Sequence, residues 1–278
     1  MKLLNGLGTM FVVLVSYDVA AGAAVAATYY VSSAGDDSNA GTITKPWKTI
    51  TKVNKGNYNA GDKLYFAGGH TFIGSLSFTA ANSHGTASAP ILVSSNGTGN
   101  AIISSGSATG LSIVNTAGMT IDSLNFVGGG VVNTNSNGIY VLTVLAGNVK
   151  LNAITINNVD VSQYGNDGIV IGGWNGTSGF TNVRVTNSKI HDNLFDGMIT
   201  LGYTGYAHTN LYIACNSFYN NLGQPNIAKS SGQGLRVANA DGAVIERNLA
   251  YNNGNNNNNS SGPRRNLGGR LKRGYHSI

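Results

Sequence analysis

The chain of 278 residues has one cysteine, 39 glycines and a formal net charge of +6, although only 10% of its residues are charged. Five of its 17 basic residues lie in the last fifteen positions; without these five, and without Lys2 and Asp18, 11 basic and 10 acidic residues remain. This nearly neutral body argues against a nucleic-acid partner, and a single thiol excludes a disulfide within the chain.

The first 27 residues have the pattern of a secretory signal peptide. Lys2 precedes an apolar stretch from Met10 to Val15, and small residues follow from Ala20 to Ala27. The apolar stretch is too short to span a membrane, and no later segment is long and apolar enough. We therefore expect an exported protein, secreted or periplasmic, with no membrane partner.

Residues 28–110 are expected to form an N-terminal cap and the first turns of a repeating fold. The stretch from Pro46 to Val53 has helical character, and Pro46 suits the first turn of a helix. A helix at this place would cover the open N-terminal end of the core.

Residues 111–262 contain two repeated units that recur every 28 to 37 residues. The first unit is a glycine followed by alternating apolar positions, and it begins at Gly138, Gly168, Gly197 and Gly234. The second unit has mostly apolar residues at relative positions 0, +3 and +5, and it begins at Ile121, Ile156, Val185 and Ile213. Cys215 lies inside the last of these units, and we expect it to be a buried small hydrophobic residue.

Two strands per period, each with one apolar face and with no helix between them, indicate a coil of stacked parallel strands. The predicted fold class is all-β, a right-handed parallel β-helix (a solenoid) with a short N-terminal capping helix. Asn157, Asn158, Asn187 and Asn216 are expected to stack as a side-chain ladder at one corner of this coil.

Five short segments in the N-terminal third carry a family resemblance. They are Tyr29 to Ser32, Gly35 to Thr42, Pro46 to Ile50, Gly61 to Phe66 and Pro90 to Val93. Together they resemble the opening of secreted pectate-lyase-like β-helix proteins, and the resemblance covers about residues 28–262. It implies the fold but no single activity, because lyases, epimerases and uncharacterised β-helix proteins share this opening. Pectate-lyase-like enzymes pair a Lys or Arg base with Ca²⁺ bound by acidic residues, so the resemblance implies Ca²⁺ as a cofactor.

The last segment, residues 263–278, departs from the repeat. It holds the clustered basic residues Arg264, Arg265, Arg270, Lys272 and Arg273. Back-translated with permitted codons and read one base later, it can encode a glycine-led apolar strand and then a second strand. This suggests a frameshift near Pro263 and a solenoid truncated at its C-terminus, with a natural basic disordered tail as the alternative. The nucleotide sequence decides between the two.

The residues before the repeated glycines form a column with two carboxylates, and its members are Asn137, Asp167, Asp196 and Gln233. Stacked turns lie about 4.8 Å apart, so Asp167 and Asp196 are expected to repel unless one holds a proton or a cation bridges them. They are the candidate metal ligands, for Ca²⁺. One alternative is a turn-forming role before glycine, and another is the acid-base pair of a glycoside hydrolase, although stacked carboxylates are closer than such pairs.

Two outward columns carry the candidate catalytic residues. One is Asn125, Asp160, Lys189 and Ser217, and the other is Thr155, Arg184 and Tyr212. β-Elimination on a uronic-acid polymer requires a base for the C5 proton and a cation for the carboxylate. Lys189 and Arg184 are the candidates for this pair, and Asp160 is the third catalytic candidate. The alternative is an ordinary surface ion pair between Asp160 and Lys189, contributing about 0 to 1 kcal/mol.

Other candidates surround these columns. Tyr212, Lys229 and Arg236 are predicted to bind substrate. His191 and His208 are candidate acid-base groups, with a structural role in a loop as the alternative. The sequence thus favours a secreted, monomeric, carbohydrate-active β-helix protein with an acidic polysaccharide as its partner. A polysaccharide lyase is the first expectation, and a glycoside hydrolase or a non-catalytic carbohydrate-binding or surface solenoid is the alternative.

Overall fold

Alternating apolar residues place short strands on three faces of a coil, and strands one turn apart pair in parallel. The computed structural model describes residues 25–131, 135–225 and 231–254, and the backbone of 269–277. Its elements are β1 (Thr28–Val31), α1 (Ile50–Asn54), β2 (Tyr58–Asn59), β3 (Lys63–Ala67), β4 (Thr71–Ile73), β5 (Leu76–Thr79), β6 (Ser83–His84), β7 (Ile91–Asn96), β8 (Ala101–Gly106), β9 (Leu111–Val114), β10 (Met119–Asp122), β11 (Leu124–Gly128), β12 (Ile139–Thr143), β13 (Lys150–Asn157), β14 (Asp160–Ser162), β15 (Ile169–Gly173), β16 (Gly179–Thr186), β17 (Lys189–His191), β18 (Met198–Gly202), β19 (His208–Ala214), β20 (Ser217–Tyr219), β21 (Leu235–Glu246), β22 (Leu249–Tyr251) and β23 (Gly269–Ser277).

Three parallel sheets form the faces of the coil. The first sheet runs β1, β3, β7, β10, β13, β16, β19 and the C-terminal half of β21. The second sheet runs β4, β8, β11, β14, β17, β20 and β22. The third sheet runs β5, β9, β12, β15, β18 and the N-terminal half of β21, which bends from the third face to the first. The predicted all-β parallel β-helix is confirmed.

The repeated units occupy equivalent positions in successive turns. Register pairs Ile139 with Ile169 and Met198 with Leu235, so the glycine-led units are the strands of the third sheet. Inward residues of the strands are fully buried and form one continuous core, and each large apolar side chain contributes about 1.5 to 3 kcal/mol by its burial.

The second repeated unit contains a corner, which the sequence analysis missed. The residues at its position +2 have a positive φ of 50° to 59°, and they are Ser123, Asn158, Asn187, Cys215 and Arg247. This left-handed conformation turns the chain from the first sheet to the second, and it favours asparagine among non-glycine residues. Each turn therefore has three strands instead of the predicted two. The prediction that Cys215 is buried was wrong, because its place at this corner exposes it.

Buried side-chain ladders join the turns at two corners. Asn216 accepts a hydrogen bond from the backbone N–H of Ser188 at 3.0 Å, and its amide donates to Val185 O at 2.9 Å and to Asn248 Oδ1 at 2.9 Å. A second ladder joins Asn193, Asn221 and Asn253 in the same way. The predicted ladder was therefore partly wrong: Asn187 does bond Asn157, but Asn216 stacks with Asn248 inside the coil.

The capping helix is shorter than predicted. It begins at Ile50 and not at Pro46, because the Thr49 hydroxyl caps it by accepting from the N–H of Lys52 at 3.1 Å. Asp37 in turn accepts hydrogen bonds from Thr49, which fixes the cap. Ile50 and Val53 are buried, so the helix covers the N-terminal end of the core as expected.

Several predictions fall partly or wholly outside the described residues. The signal peptide, predicted for residues 1–27, lies there up to residue 24, and so do residues 263–268 and 278 of the aberrant tail. The backbone of the tail residues Gly269–Ser277 forms β23, which pairs antiparallel with β21. The frameshift stays a prediction. Within the described ranges, no helix has the length and apolar character needed to cross a membrane.

We expect Asn216→Ala to lower the free energy of unfolding by about 2 to 4 kcal/mol, because it leaves the Ser188 N–H and the Val185 carbonyl buried without that partner. Urea denaturation measures the loss. Asn152→Ala is the matched control: this exposed side chain bonds only the side chain of Asn182 at 2.7 Å, and its loss should change stability by less than about 0.5 kcal/mol. Equal effects of both changes would contradict the ladder's role.

Candidate active site on the second sheet

The register contains both predicted outward columns, but they lie on different sheets. Asn125, Asp160, Lys189 and Ser217 are register partners on β11, β14, β17 and β20. Two residues further along the same strands lies another outward column, Ser162, His191, Tyr219 and Tyr251. Side chains of adjacent columns on one face are about 7 to 8 Å apart, so the two columns together form one surface.

His191 lies between two carboxylates. Its Nε2 is 2.9 Å from Asp160 Oδ1, and its Nδ1 is 2.6 Å from Asp192 Oδ2. Burial alone would lower the pKa of His191, but the hydrogen bonds and charges of Asp160 and Asp192 outweigh it and raise that pKa above its ordinary value. The two carboxylates therefore favour the protonated form of the imidazole.

Aromatic rings continue from His191 along the coil axis. The ring of Tyr219 stacks on His191 with centroids 4.4 Å apart, and Tyr251 stacks on Tyr219 at 5.0 Å. Burial, and then the charge of Asp160, raises the pKa of the Tyr219 hydroxyl. The three rings form one stacked row beside Asp160 and Lys189. Tyr219 keeps its phenolic proton.

Lys189 is exposed, and no carboxylate of the described residues lies within 4.0 Å of its ammonium group. The expected surface ion pair with Asp160 is absent, because Asp160 bonds His191 instead. Lys189 borders a depression of about 240 Å³ whose other lining residues are mainly amides. They are Asn100, Asn125, Asn158, Val159, Asp160 and Asn187. This depression combines a free cation with many hydrogen-bonding groups.

Arg184 occupies its predicted column, in register with Thr155 and Tyr212, but this column belongs to the first sheet. The corner at Asn187 separates it from Lys189. Its guanidinium lies over the ring of Tyr212 at 5.3 Å, and the Tyr212 hydroxyl donates to Glu246 at 2.8 Å. Arg184 is thus an exposed cation on the neighbouring face, not the direct neighbour of Lys189.

Asp167 and Asp196 form a buried ladder where the chain enters the third sheet. The backbone N–H of Asp196 donates to Asp167 Oδ1 at 3.0 Å, and that of Gln233 donates to Asp196 Oδ1 at 2.9 Å. Arg236, predicted to bind substrate, places Nη2 3.1 Å from Asp196 Oδ2, an ion pair without hydrogen-bond geometry. Burial, and then the charge of Asp196, raises the pKa of Asp167 to about 7; burial also raises the pKa of Asp196, which Arg236 opposes.

The oxygen atoms of this pair were the predicted Ca²⁺ ligands. Two of them already accept backbone N–H groups, and a third faces the positive charge of Arg236. Among the described residues there is no group of three or more His, Cys, Asp or Glu side chains placed to hold a metal. A donor set of this kind does not match the six to eight free oxygens that Ca²⁺ prefers. Ca²⁺ binding stays a prediction.

The remaining predicted residues have separate places. His208 is buried, its ring bonds Leu201 O at 2.8 Å and the N–H of Phe180 at 3.3 Å, and burial lowers its pKa to about 4, so it is a neutral structural group. Lys229 lies outside the described residues. The sequence analysis missed the pairing of His191 with Asp160 and the stacking of Tyr219. The register would have shown the second, since it pairs His191 with Tyr219 on adjacent strands.

We expect Asp192→Asn to lower the pKa of His191, because the imidazolium then loses one charged acceptor while Asn keeps the left-handed φ of 53° at this position. An NMR pH titration of the histidine ring protons measures it, with His191→Gln identifying the resonance among the five histidines. An unchanged or higher pKa would mean that Asp192 does not stabilise the charged ring.

We expect Asp167→Asn to raise the melting temperature at pH 8 and to leave it nearly unchanged near pH 4. The folded wild type keeps Asp167 protonated up to about pH 7, while the unfolded chain ionises it from its ordinary value of 3.8. Stability is therefore lost as pH rises from about 4 to 7, and asparagine removes this loss. Asp196→Asn, one turn away, is the control and should not stabilise, because it removes the ion-pair partner of Arg236. A lower melting temperature of Asp167→Asn at pH 8 would contradict the assignment.

Comparisons with known proteins support the architecture. No protein-family model and no curated protein sequence matches the chain. The crystal structure of the GH136 lacto-N-biosidase from Eubacterium ramulus matches with a TM-score of 0.64 and 20% identity, over 81% of this chain and 45% of that one. The alginate lyase from Paenibacillus sp. str. FPU-7 (TM-score 0.48, 17% identity, 76% of each chain) and a rhamnogalacturonan lyase (0.41, 17%, 82% and 69%) are weaker matches. The chain spans less than half of the lacto-N-biosidase, and at 20% identity this match supports the fold alone.

Proposed function

We propose that this protein is an exported carbohydrate-active enzyme, a polysaccharide lyase that cleaves a uronic-acid polymer by β-elimination on the outward face of the second sheet. One observation carries the proposal. Lys189 is an exposed cation without a carboxylate partner among the described residues, and it lies beside an imidazole that is bonded to Asp160 and Asp192. A cation, a base and an acid on one open face are the groups that β-elimination requires.

The first requirement is to acidify the C5 proton of the uronate. The ammonium group of Lys189 binds the C6 carboxylate and so stabilises the negative charge that develops when C5 loses its proton. Lys189 is assigned to this role because its charge is not neutralised by Asp160. Arg184, across the corner, is placed to hold the carboxylate of another sugar of the same polymer.

The second requirement is two proton transfers. A base removes the proton from C5, and an acid donates a proton to the leaving oxygen O4. The Asp160 carboxylate takes the C5 proton, the electrons of that bond form the C4=C5 double bond, and the C4–O4 bond breaks. O4 leaves with a proton from the His191 imidazolium. The proton on Asp160 then returns to His191 across their 2.9 Å hydrogen bond, which restores both groups. Atoms and charges balance without a co-reactant.

The shape of the face suits a chain of sugars. The stacked rings of His191, Tyr219 and Tyr251 line one side of this face, and the amides around the depression offer hydrogen bonds. No step of this scheme passes through Ca²⁺. Calcium at Asp167 and Asp196 would act elsewhere on the coil, and a chelator tests it separately.

A hydrolase that uses Asp167 and Asp196 is the weaker candidate. These side chains are 8% and 0% exposed, and their oxygens serve backbone N–H groups and Arg236. A sugar and a water molecule have no room between two carboxylates in this ladder. The lyase proposal needs no such rearrangement, because its residues already face outward.

The test follows the ultraviolet absorbance of the unsaturated product during incubation with pectate, alginate and glycosaminoglycans. We expect turnover on one of them, and we expect Lys189→Ala and His191→Gln each to reduce it by at least about a hundredfold, since charge stabilisation and proton transfer each contribute on this order. Polymer binding by Lys189→Ala, measured by affinity electrophoresis, should weaken far less than turnover.

Ser217→Ala is the matched control, in the same column as Lys189 but without a role in the scheme. It should keep wild-type turnover. Added chelator separates the metal question, because a loss of turnover on chelation would show a Ca²⁺-dependent lyase. Absence of any unsaturated product from every polymer would exclude elimination, and retained binding in that case would leave a carbohydrate-binding solenoid.

A further inference from the structure

A second concave site lies at the N-terminal end of the coil, far from the second-sheet face. It has a volume of about 240 Å³ and is lined by Tyr29, Trp47, Lys52, Lys55, Gly56, Asn57 and Tyr58. It belongs to the level of β1 and α1, whereas Lys189 follows β16 in a turn five strand pairings further along. At about 4.8 Å per turn the two places are roughly 24 Å apart. The site is therefore separate from the proposed lyase centre.

Aromatic rings form the walls of this N-terminal pocket. Tyr29 and Trp47 stack with centroids 4.8 Å apart, and Tyr58 meets Tyr29 edge-on at 5.7 Å. The rings are held in place: Trp47 Nε1 donates to Asn39 O at 3.0 Å, and the Tyr58 hydroxyl donates to Val53 O at 2.7 Å. Such fixed walls lose little entropy when a flat ligand packs against them.

The charged groups that line the pocket are both positive. The ammonium of Lys52 lies 5.6 Å from the centroid of Trp47, and Lys55 follows one turn later at the helix C-terminus. Within the described chain neither lysine has a carboxylate within 4.0 Å. The nearby acids are occupied: Asp37 accepts from Thr49 and Lys48, and the buried Asp62 accepts from the N–H groups of Ala27 and Asn59.

We propose that this pocket binds a carboxylate carried on a six-membered ring, with Lys52 and Lys55 holding the carboxylate, Tyr29 and the exposed part of Trp47 contacting the ring, and the buried Tyr58 supporting them from behind. Ion pairing to two lysines beside low-dielectric aromatic walls is stronger than at an open surface. A uronic acid at the end or within the proposed polymer has this chemistry, and so does an aromatic acid. In the first case the inference rests on the proposed function, since the pocket would then anchor the same polymer at a distance from the lyase centre.

The fluorescence of Trp47 reports occupancy directly. The chain has two tryptophans, so the Trp174→Phe background leaves Trp47 as the only one; Trp174 is 40% exposed, and the change removes one exposed hydrogen bond, to the Tyr140 hydroxyl. This protein is titrated with galacturonate, with galactose as the uncharged sugar, and with benzoate as the aromatic acid. We expect saturable quenching by a carboxylate and none by galactose, with an affinity that falls as salt is added.

Binding of galacturonate but not of benzoate would assign the site to a sugar acid, and the reverse would assign it to an aromatic acid. The double change Lys52→Gln and Lys55→Gln should weaken carboxylate binding by at least about tenfold. Lys63→Gln is the matched control, an exposed lysine on β3 outside the pocket, and should bind as the background protein does. Melting temperatures of all variants verify that they are folded.

Quenching by galactose and galacturonate alike, no quenching by any carboxylate, or unchanged binding by the double variant would each overturn the proposal. Its failure is separable from that of the lyase scheme. Lys189→Ala should abolish turnover but leave the Trp47 titration unchanged, because Lys189 lies outside the N-terminal pocket.

Discussion

The stacking of parallel strands in strict register, about 4.8 Å apart, is the constraint on which the other features depend. It converts a position in one repeat into a column that runs through the coil, as for Ile156, Val185 and Ile213 in the core. A column is stable only if its members suit one another. Apolar columns achieve this by packing, and buried polar columns achieve it by hydrogen bonds along the axis, as Asn193, Asn221 and Asn253 do.

The same constraint creates the candidate site. Outward columns have no core to fill, so their residues are free to differ from turn to turn, and Asn125, Asp160, Lys189 and Ser217 do. Register brings such unlike groups within reach without any loop to position them. The stiffness of the sheet then holds His191 between its two carboxylates, so that this arrangement exists before any ligand binds.

The repeats made the fold and the columns predictable. The alternation of apolar residues indicates strands with one buried face, and the spacing of the glycine-led units indicates how the turns stack. The corner at Cys215 was not predictable in this way. Its left-handed φ matches that of Asn187 and Asn158 at the same position one and two turns earlier, and the residues next to Cys215 in the sequence do not indicate it. Nor was the partner of Asp160. Lys189 and His191 are equally plausible by register, and side-chain rotamers decide between the neighbour on the next strand and its diagonal.

Asp167 and Asp196 show that the residues of a buried column must be compatible in charge as well as in hydrogen bonding. Asn137 serves the same ladder one turn earlier by accepting from the N–H of Asp167 at 3.2 Å, so the ladder itself needs no charge. Arg236 forms an ion pair with the carboxylate of Asp196. Arg236 is in register with Ile199, so its guanidinium lies one turn above Asp196. It cannot neutralise both acids, and Asp167, the farther of the two, relieves the repulsion by taking up a proton. Burial and the neighbouring charge of Asp196 therefore favour a protonated Asp167 in this column.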